Sequence, residues 1–505
     1  MKRNKFSLSN YKLATMDMGE LVPIGLQEVL PGDTFQHSTS ALVRVAPMLA
    51  PVMHPVSVRI HHWFVPHRLV LDDWESFITG GEDGADSTTF PTMSIVNPSI
   101  GSLADYLGVP TGTYTATVSA LPFRAYALIF NEWYRDQDLV TALTIDTTDG
   151  TDSTTNTTLQ KVAWEKDYFT TSRASTQKGS EVTLPLGTRA DIKGLGMLTA
   201  TQGGSPASQT VYETGTGSTS WTGWKSDAAA GGGADDKGQL AAKKGSGSTD
   251  MDIYADLTNA TAASINDLRE AFALQRYAEA RMRYGARYSE YLRYLGIKSS
   301  DARLQRPEYL GGGKQTLQFS EIIQAAGTTD GSATGVGDLK GHGIGALRSN
   351  RYRRFFEEHG YVITLMSVMP KTMYMNGLPR TWSRTTKEDF FQKELQHIGQ
   401  QEVLNKEVYA QHSTPGGTFG YQDRYDEYRR SESTIAGDFR DTLDHWHMAR
   451  VFTSDPTLNS TFITANPTDR IFQSTSTDSL WIMANHSIQA RRMVSKLGTP
   501  SGTRV

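Results

Sequence analysis

Hydrophobic and polar residues alternate along residues 54–65, which read HPVSVRIHHWFV. One face of an extended chain would carry Val56, Val58, Ile60, His62 and Phe64, and the other would carry Ser57, Arg59, His61 and Trp63. Alternation over a full strand length predicts a β-strand with one face toward a core.

Two further segments predict strands elsewhere in the chain. Residues 358–370, EHGYVITLMSVMP, are apolar on both faces between a glycine and a proline, which is typical of a strand covered on both sides. Residues 480–490, LWIMANHSIQA, predict another strand near the C-terminus. Because the three segments lie far apart in the sequence, we expect them to pair through non-local contacts.

One long segment has the periodicity of a helix. Ser264 stands three residues before Asp267, which is the spacing of a capping box, and Gly285 is a position where a helix can bend. We therefore predict a helical insertion over residues 264–296, with a long helix near 265–295. Shorter helical patterns cover residues 122–136 and 387–397.

Residues 141–251 are rich in glycine, serine and threonine and contain only short apolar runs. A stretch of this composition buries little apolar surface by itself, so we predict a variable polar insertion at the surface. It is either a loosely ordered surface loop or an external excursion that contacts another molecule. The apolar islands at 162–169 and 181–187 predict that parts of it return to the body of the protein.

Composition excludes several kinds of chemistry but does not determine the fold. The length of 505 residues is compatible with two to four domains or with one large β unit. The net charge of −4 directs any contact with a polyanion to local patches. The chain has no cysteine, which excludes disulfides and thiolate metal sites and fits a reducing cytoplasm. No apolar run predicts a signal peptide or a membrane span.

The segment RPEYLGGGKQT contains part of a phosphate-binding loop motif. Gly313 and Lys314 match its middle, but Glu308 stands where the first glycine belongs, and Gln315 cannot supply the hydroxyl that contacts magnesium. We predict a glycine-rich turn that leads into a strand. The glycines of residues 335–345 similarly lack a dinucleotide-binding spacing and predict a loop.

Histidine and acidic residues provide the candidates for metal binding and catalysis. The histidines are His61, His62, His445 and His447, and their spacing supplies no third or fourth ligand, so hydrogen-bonded histidines are favoured. The acids beside aromatic residues are Asp72, Asp73, Glu75, Asp423, Asp426 and Glu427. Paired carboxylates could serve a glycosidase, but solvated or ion-paired acids are favoured. We assign no catalytic, cofactor-binding or metal-binding residue.

Arginine and tyrosine are interspersed in two segments, around residues 281–294 and 351–354. This mixture binds single-stranded nucleic acid in some proteins and lines protein interfaces in others, and we favour an interface or buried ion pairs. Cations near the two chain ends are better placed to contact a polyanion such as a nucleic acid. These residues are Lys2, Arg3, Lys5, Arg491 and Arg492.

Whole phrases of the sequence resemble a known family. They include GELVPIGLQEVLPGDTF at 19–35, APVMHPVSVRIHHWFVPHRLVLDDWESF at 50–77 and LPFRAYALIFNEWYRDQDL at 121–139. Further phrases, SSDARLQRPEYLGG and GDFRDTLDHWHMARVF among them, follow in the same order. The chain resembles the major capsid protein of microviruses, especially the gokushovirus-like branch of these small tailless phages with circular single-stranded DNA.

The resemblance implies a mainly β fold, an eight-stranded antiparallel jelly roll with long loop insertions and a few helices, formed by residues 1–505 as one domain. It implies self-assembly of about sixty copies into a T=1 icosahedral shell around packaged single-stranded DNA. Minor virion proteins, namely a DNA pilot protein and a small internal or scaffolding protein, are further implied partners.

The resemblance also implies assembly in the host cytoplasm and a final location in the virion. Surface loops could contribute to attachment to a bacterial receptor. The C-terminal segment ANHSIQARRMVSKLGTPS follows the family's ending only loosely, which leaves the contacts of this end open. A β-rich carbohydrate-active enzyme and a nucleic-acid-binding protein are the alternative functions.

Overall fold

A computed structural model describes residues 3–180, 265–285, 287–323 and 339–496, together with residue 182 and six short strands between 191 and 256. The chain divides into two compact units. One consists of residues 1–176 and 284–505, and the other of residues 177–283. We refer to them as the main unit and the second unit.

Antiparallel pairing dominates the described strands. Numbered in chain order, they are β1 (Asn4–Ser7), β2 (Asn10–Met16), β3 (Val22–Val29), β4 (Thr34–Val45), β5 (Val56–Pro66), β6 (Thr92–Val96), β7 (Thr115–Ser119), β8 (Asp191–Lys193), β9 (Leu195–Met197), β10 (Val211–Tyr212), β11 (Ser220–Trp221), β12 (Leu240–Ala242), β13 (Tyr254–Asp256), β14 (Glu308–Thr316), β15 (Gln318–Ile323), β16 (Leu339–Arg348), β17 (Tyr352–Phe355), β18 (Gly360–Pro370), β19 (Gln400–Leu404), β20 (Thr418–Asp423) and β21 (Leu480–Arg492).

The α-helices are short, with one exception. They are α1 (Trp74–Thr79), α2 (Leu103–Leu107), α3 (Leu121–Ile129), α4 (Ile265–Tyr284), α5 (Tyr288–Tyr294), α6 (Asn405–Val408) and α7 (Ser460–Ile463). Within the described part of the chain, no helix is both long and apolar enough to cross a membrane.

Two sheets pack face to face in the main unit. The seven-stranded sheet has the order β1-β21-β4-β16-β15, with β2 also paired to β21 and β17 to β4. The four-stranded sheet has the order β14-β5-β18-β3. Their shared core contains Val43, Val45, Leu480 and Ile482 from the first sheet and Val56, Val58, Ile60 and Met366 from the second. Antiparallel sheets packed in this way fit the expected mainly β fold, while the number of jelly-roll strands stays a prediction.

The alternation of residues 54–65 has its cause in this packing. Val56, Val58 and Ile60 of β5 are buried between the sheets, whereas Ser57 and Arg59 are only partly buried on the other face. Strand β18 lies between β5 and β3 and is buried at nearly every position. The prediction of strands over these two segments is therefore confirmed.

The four-stranded sheet is covered on its second face as well. Trp63, Ile363 and Leu365 belong to a second apolar cluster that includes Phe123 and Tyr126 of α3. This helix is followed by a π-helical turn, Phe130–Tyr134, so the helix expected over 122–136 is present. Because helices cover this face, β18 is apolar on both sides, as its sequence indicates.

The glycine-rich turn expected at residues 311–313 is wrong, because these residues belong to β14 and pair with β5. A β-bulge between Tyr309 and Gly311 shifts the register. A Cβ atom at Gly312 would lie 2.2 Å from the backbone oxygen of Ile60, so only glycine fits this close approach. Lys314 pairs with Glu165, with an N–O distance of 3.3 Å.

The loop expected over residues 335–345 is also wrong for its described part, residues 339–345, which belong to β16. A Cβ at Gly341 would lie 2.4 Å from the backbone oxygen of Ala50. At Gly345 a Cβ would lie 2.4 Å from the Leu317 side chain. The glycines therefore permit close packing within a strand, and flexibility is not their role here.

The long helix near 265–295 consists of two helices. Helix α4 ends at Tyr284 and α5 begins at Tyr288, and between them Gly285 has a positive φ of 97°. The bend expected at Gly285 is thus a break. Residues 387–397, where a short helical piece is predicted, form two 3₁₀ turns, Lys387–Asp389 and Lys393–His397, instead of one continuous helix.

Residues 139–176 belong to the main unit. Val162, Trp164, Tyr168 and Phe169 are buried, so the apolar island at 162–169 does return to the body. The island at 181–187 lies outside the described residues, apart from residue 182. The second unit contains the antiparallel pairs β8–β13, β9–β12 and β10–β11 and all but the last residue of α4.

Candidate functional site

The cations near the two chain ends meet because β1 pairs with β21. Asn4 lies opposite Arg492 and Lys5 opposite Arg491. Four of the five candidate DNA-contacting residues, Arg3, Lys5, Arg491 and Arg492, are thereby brought together. The fifth, Lys2, lies outside the described residues.

These cations have different environments. The Arg492 Nε donates to Asp33 Oδ2 at 3.0 Å, and Asp33 is fully buried. Burial raises the pKa of Asp33, against the opposing effect of the Arg492 charge. Arg3 donates to the Gly32 carbonyl oxygen at 3.0 Å and lies over the Phe355 ring. Arg492 and Arg3 therefore fasten the strand ends to the sheet.

Lys5 and Arg491 are exposed and form no ion pair with another described residue. Their side chains lie on the outer face of the seven-stranded sheet, the face turned away from the core. We call this surface the outer face. Its strand positions, read from the register, are Lys5, Ser7, Tyr11, Leu13, Thr15, Thr34, Gln36, Ser38, Ser40, Leu42, Arg44, Gln318, Ser320, Ile322, Lys340, His342, Ile344, Ala346, Arg348, Arg353, Phe355, Trp481, Met483, Asn485, Ser487, Gln489 and Arg491.

Cations and large aromatic side chains share the outer face, and none of its strand positions carries an acid. Trp481 lies opposite Arg44 on one side and Thr15 on the other. The Trp481 side chain is 44% exposed and Tyr11 is 71% exposed. No local pattern in the sequence distinguishes these two residues, because the face is assembled from strands at both chain ends and in the middle.

Trp481 stands between two grooves on this surface. Lys12, Leu13, Leu42, Arg44, Asp105, Tyr106 and Met483 line the first groove with it. Arg44, Ile322, Lys340 and Ile344 line the second. Burial lowers the pKa of Lys12 to about 8, although the neighbouring Asp105 acts in the opposite direction.

The candidate metal ligands are used in hydrogen bonds. The His61 Nδ1 lies 2.7 Å from the Tyr134 hydroxyl, and the His447 Nε2 lies 2.7 Å from the Phe439 carbonyl oxygen. Within the described residues, no group of three or more potential ligands could hold a metal ion. His445, which is half-buried, lies near Asp444.

Buried side chains form a chain of hydrogen bonds between the two sheets, and His62 is one of its members. His486 Nε2 donates to the Ile24 carbonyl oxygen at 2.9 Å, so its Nδ1 accepts from Thr39 Oγ1. That hydroxyl lies 3.1 Å from the His37 Nε2, and the His37 Nδ1 lies 3.0 Å from the Tyr352 hydroxyl. Neutral histidines satisfy every link. No local sequence pattern predicts these hydrogen bonds, because the histidines come from strands far apart in the sequence.

His62 completes the buried chain from the opposite sheet. Its Nδ1 lies 2.9 Å from Thr364 Oγ1 and its Nε2 lies 3.0 Å from Ser349 Oγ. Burial lowers the pKa of His37 to about 3 and holds that of His62 well below its usual range. The residues therefore join the sheets as neutral hydrogen-bonding groups.

The candidate catalytic acids serve structural contacts. Asp426 is buried, and its Oδ2 pairs with the Arg430 Nε at 2.9 Å. Glu427 pairs with Arg380 and Arg384 at 3.7 and 3.6 Å. Asp72 Oδ2 accepts a hydrogen bond from the Thr147 hydroxyl at 2.8 Å. These contacts fit the ion-paired interpretation of the acids.

The arginine and tyrosine segments also pair internally at several positions. Arg287 lies near both Glu132 and Glu290, and Tyr284 packs against Tyr294 with ring centroids 4.9 Å apart. Arg354 pairs with Glu308 at 2.8 Å. Arg353 points instead to the outer face, so the ion-pair prediction does not extend to that position.

Comparison with known proteins identifies similar chains. A model of the family described as capsid protein (F protein) matches residues 1–501. Capsid protein VP1 of Bdellovibrio phage phiMH2K is 38% identical over 92% of this chain and 88% of its own length. Capsid protein VP1 of Chlamydia phage 1 is 34% identical over 93% and 90%, and that of Spiroplasma virus 4 is 32% identical over 91% and 87%.

Proposed function

The chain belongs to the phage capsid protein (F protein) family, and from this premise we propose that about sixty copies form a T=1 shell around a circular single-stranded DNA genome. Family membership confirms the resemblance to microvirus major capsid proteins. The role of the chain is structural rather than enzymatic, and its location is the virion.

Exposed apolar side chains support assembly through contacts between copies. Ile100 is 83% exposed and Trp382 is 76% exposed in the single chain. Large apolar groups left in water favour association, and the known role of the family makes other copies of the chain the natural partners.

A particle measurement tests the proposed shell. We expect full-length protein from infected cells to sediment as closed particles, with icosahedral symmetry and about sixty subunits by electron microscopy. A shell with a larger subunit number would contradict the T=1 proposal but leave the capsid role intact. Protein found only as monomers in infected cells would contradict self-assembly.

The terminal cations support contact with packaged DNA. Lys5 and Arg491 are adjacent and exposed, and cations of this kind contact phosphates without reading the base sequence. We propose that they face the particle interior. A reconstruction with both chain ends ordered on the outer particle surface would contradict this.

Further partners are proposed from the resemblance to microvirus capsid proteins. We propose a DNA pilot protein, a small internal or scaffolding protein and a bacterial surface receptor as partners, and the host cytoplasm as the place of assembly. Part of residues 141–251 is proposed to lie outside the shell and to affect attachment, although most of this stretch is outside the described residues. A phage with that part deleted should still assemble but should adsorb poorly to its host. Normal adsorption would contradict the proposal.

A further inference from the structure

We infer that the outer face of the seven-stranded sheet is the platform on which the packaged single-stranded DNA lies. Trp481 and Tyr11 stack with bases, and Arg44, Arg348 and neighbouring cations contact phosphates. The inference rests on the proposed function, because it requires a particle that encloses DNA. It extends that function from the terminal cations to a whole surface.

Charge segregation is the first observation that supports this inference. The whole chain has 54 acidic and 50 basic residues. The strand positions of the outer face nevertheless carry Lys5, Arg44, Lys340, Arg348, Arg353 and Arg491 and no acid. A chain with a net negative charge has thus placed an all-cationic set on one sheet face, which complements a polyanion.

Two acids of the described chain lie at the border of this surface. Asp478 accepts a hydrogen bond from the hydroxyl of Thr15, and Asp105 lines the groove beside Lys12. Both lie near the edge formed by β2. Their negative charge disfavours a polyanion at that edge, whereas the cations of the face lie on β1, β4, β16, β17 and β21.

The aromatic side chains supply the second observation. Trp481 and Asn485 lie four positions apart on β21, or about 13 Å, and Tyr11 is the cross-strand neighbour of Asn485. Both rings are exposed on the same face. On the adjacent strands, Trp481 lies opposite Arg44 and Tyr11 lies opposite Asn485. Aromatic groups spaced along a cationic surface bind single strands without base preference, because every base has a face for stacking.

The polar groups favour DNA over a second copy as the occupant. The part of the outer face along β4 and β21 away from Trp481 carries small hydroxyl and amide side chains, namely Ser38, Ser40, Asn485, Ser487 and Gln489. Exposed apolar side chains of the face lie around Trp481, namely Leu13, Ile322, Ile344 and Met483. The hydroxyl and amide groups can donate to phosphates and bases, whereas the core of a protein interface is usually apolar. A symmetric contact through this face would also place cations against cations.

Matched variants of the full-length chain test the inference. A 20-residue thymidine oligonucleotide is the probe, and binding is measured by fluorescence anisotropy over a range of salt concentrations. For the double variant Arg44→Gln/Arg348→Gln we expect weaker binding and a loss of about 1.4 from the slope of log affinity against log salt, because two phosphate contacts are removed. For Trp481→Leu we expect roughly a tenfold or greater loss with an unchanged slope.

The control removes two exposed cations elsewhere in the main unit, as Lys298→Gln/Arg303→Gln. It should bind the oligonucleotide as the parent chain does. Circular dichroism and thermal unfolding establish that each variant is folded. A conservative Trp481→Phe variant should restore most of the binding, which loss of packing alone would not predict.

Particle analysis separates failure of this inference from failure of the proposed function. If parent particles enclose DNA and the outer-face variants bind and package it normally, the inference is wrong and the proposed function stands. If the variants keep oligonucleotide binding but lose assembly, the face is a contact between copies and the inference is overturned. If parent particles contain no DNA, the proposed function itself fails.

Discussion

Arg124 shows how one buried charge organises a polar segment. The side chain is fully buried, and its Nε donates to Asp152 Oδ2 at 2.7 Å. One terminal nitrogen also donates to the carbonyl oxygens of Val70 and Thr148 at 2.9 Å. Although burial opposes it, hydrogen bonds from Thr155 and Arg124 lower the pKa of Asp152.

Removing the Asp152 carboxylate should destabilise the main unit strongly. We expect Asp152→Ala to reduce the free energy of unfolding by about 3–5 kcal/mol, because it leaves the buried Arg124 charge with only the more distant Asp146 carboxylate, at 4.0 Å. Urea unfolding followed by tryptophan fluorescence measures the change. Asp83→Ala, at an exposed aspartate, is the control and should change stability by less than about 0.5 kcal/mol. Equal stability of the two variants would contradict the structural role of the pair.

At the scale of the element, β14 depends on the absence of side chains at its glycines. Gly312 lies opposite His61 in the pairing with β5, close to the Ile60 backbone. The close approach explains why a glycine-rich run, which by itself indicates a turn, forms a paired strand here. A backbone atom cannot move aside as the end of a flexible side chain can.

The substitution Gly312→Ala should therefore separate β14 from β5. We expect a loss of about 1–3 kcal/mol, because the new Cβ forces the backbones apart. Thermal unfolding measures the stability, and hydrogen exchange of the β14 amides locates the change. Gly416→Ala is the matched control, since no atom lies within 4 Å of a Cβ there. A Gly312→Ala protein with normal β14 protection would contradict this account.

At the scale of the whole molecule, the buried histidines make stability depend on pH. His37 and His486 come from one sheet and His62 from the other, and the pKa of all three is lowered, mainly by burial. The unfolded chain, with histidine pKa values near 6.5, binds protons at a higher pH than the folded chain does. This contribution to stability is therefore present above pH 6.5 and is lost progressively as the pH falls.

We expect the thermal unfolding midpoint of the full-length subunit to decrease as the pH is lowered from about 7.5 to about 4.5. The change should be smaller in His62→Gln than in the parent, because glutamine keeps hydrogen-bonding groups but cannot become charged in this range. His397→Gln, at an exposed histidine, should retain the parent's pH dependence. Parallel pH profiles for the parent and His62→Gln would count against the buried chain as a source of acid sensitivity.

Local periodicity was enough to predict several elements. The strands β5, β18 and β21 and the helix beginning at Leu121 each have a pattern that matches their burial, because neighbouring positions determine which face is apolar. The break at Gly285 also follows from the residue type. Phrases of more than ten residues, rather than periodicity, indicate the capsid family.

The sequence by itself determined the mainly β character, the principal strands and the family. The first two depend on local patterns of apolar residues, and the family depends on long sequence phrases that follow one another in the family's order. Only the tertiary structure decided that the glycines of β14 are paired, that Arg492 is held by Asp33, and that Trp481, Arg44 and Lys5 share one face. The physical reason is that strands from both chain ends and the middle pair in one sheet. Contacts between residues so far apart follow from the register of that sheet, which no local pattern encodes.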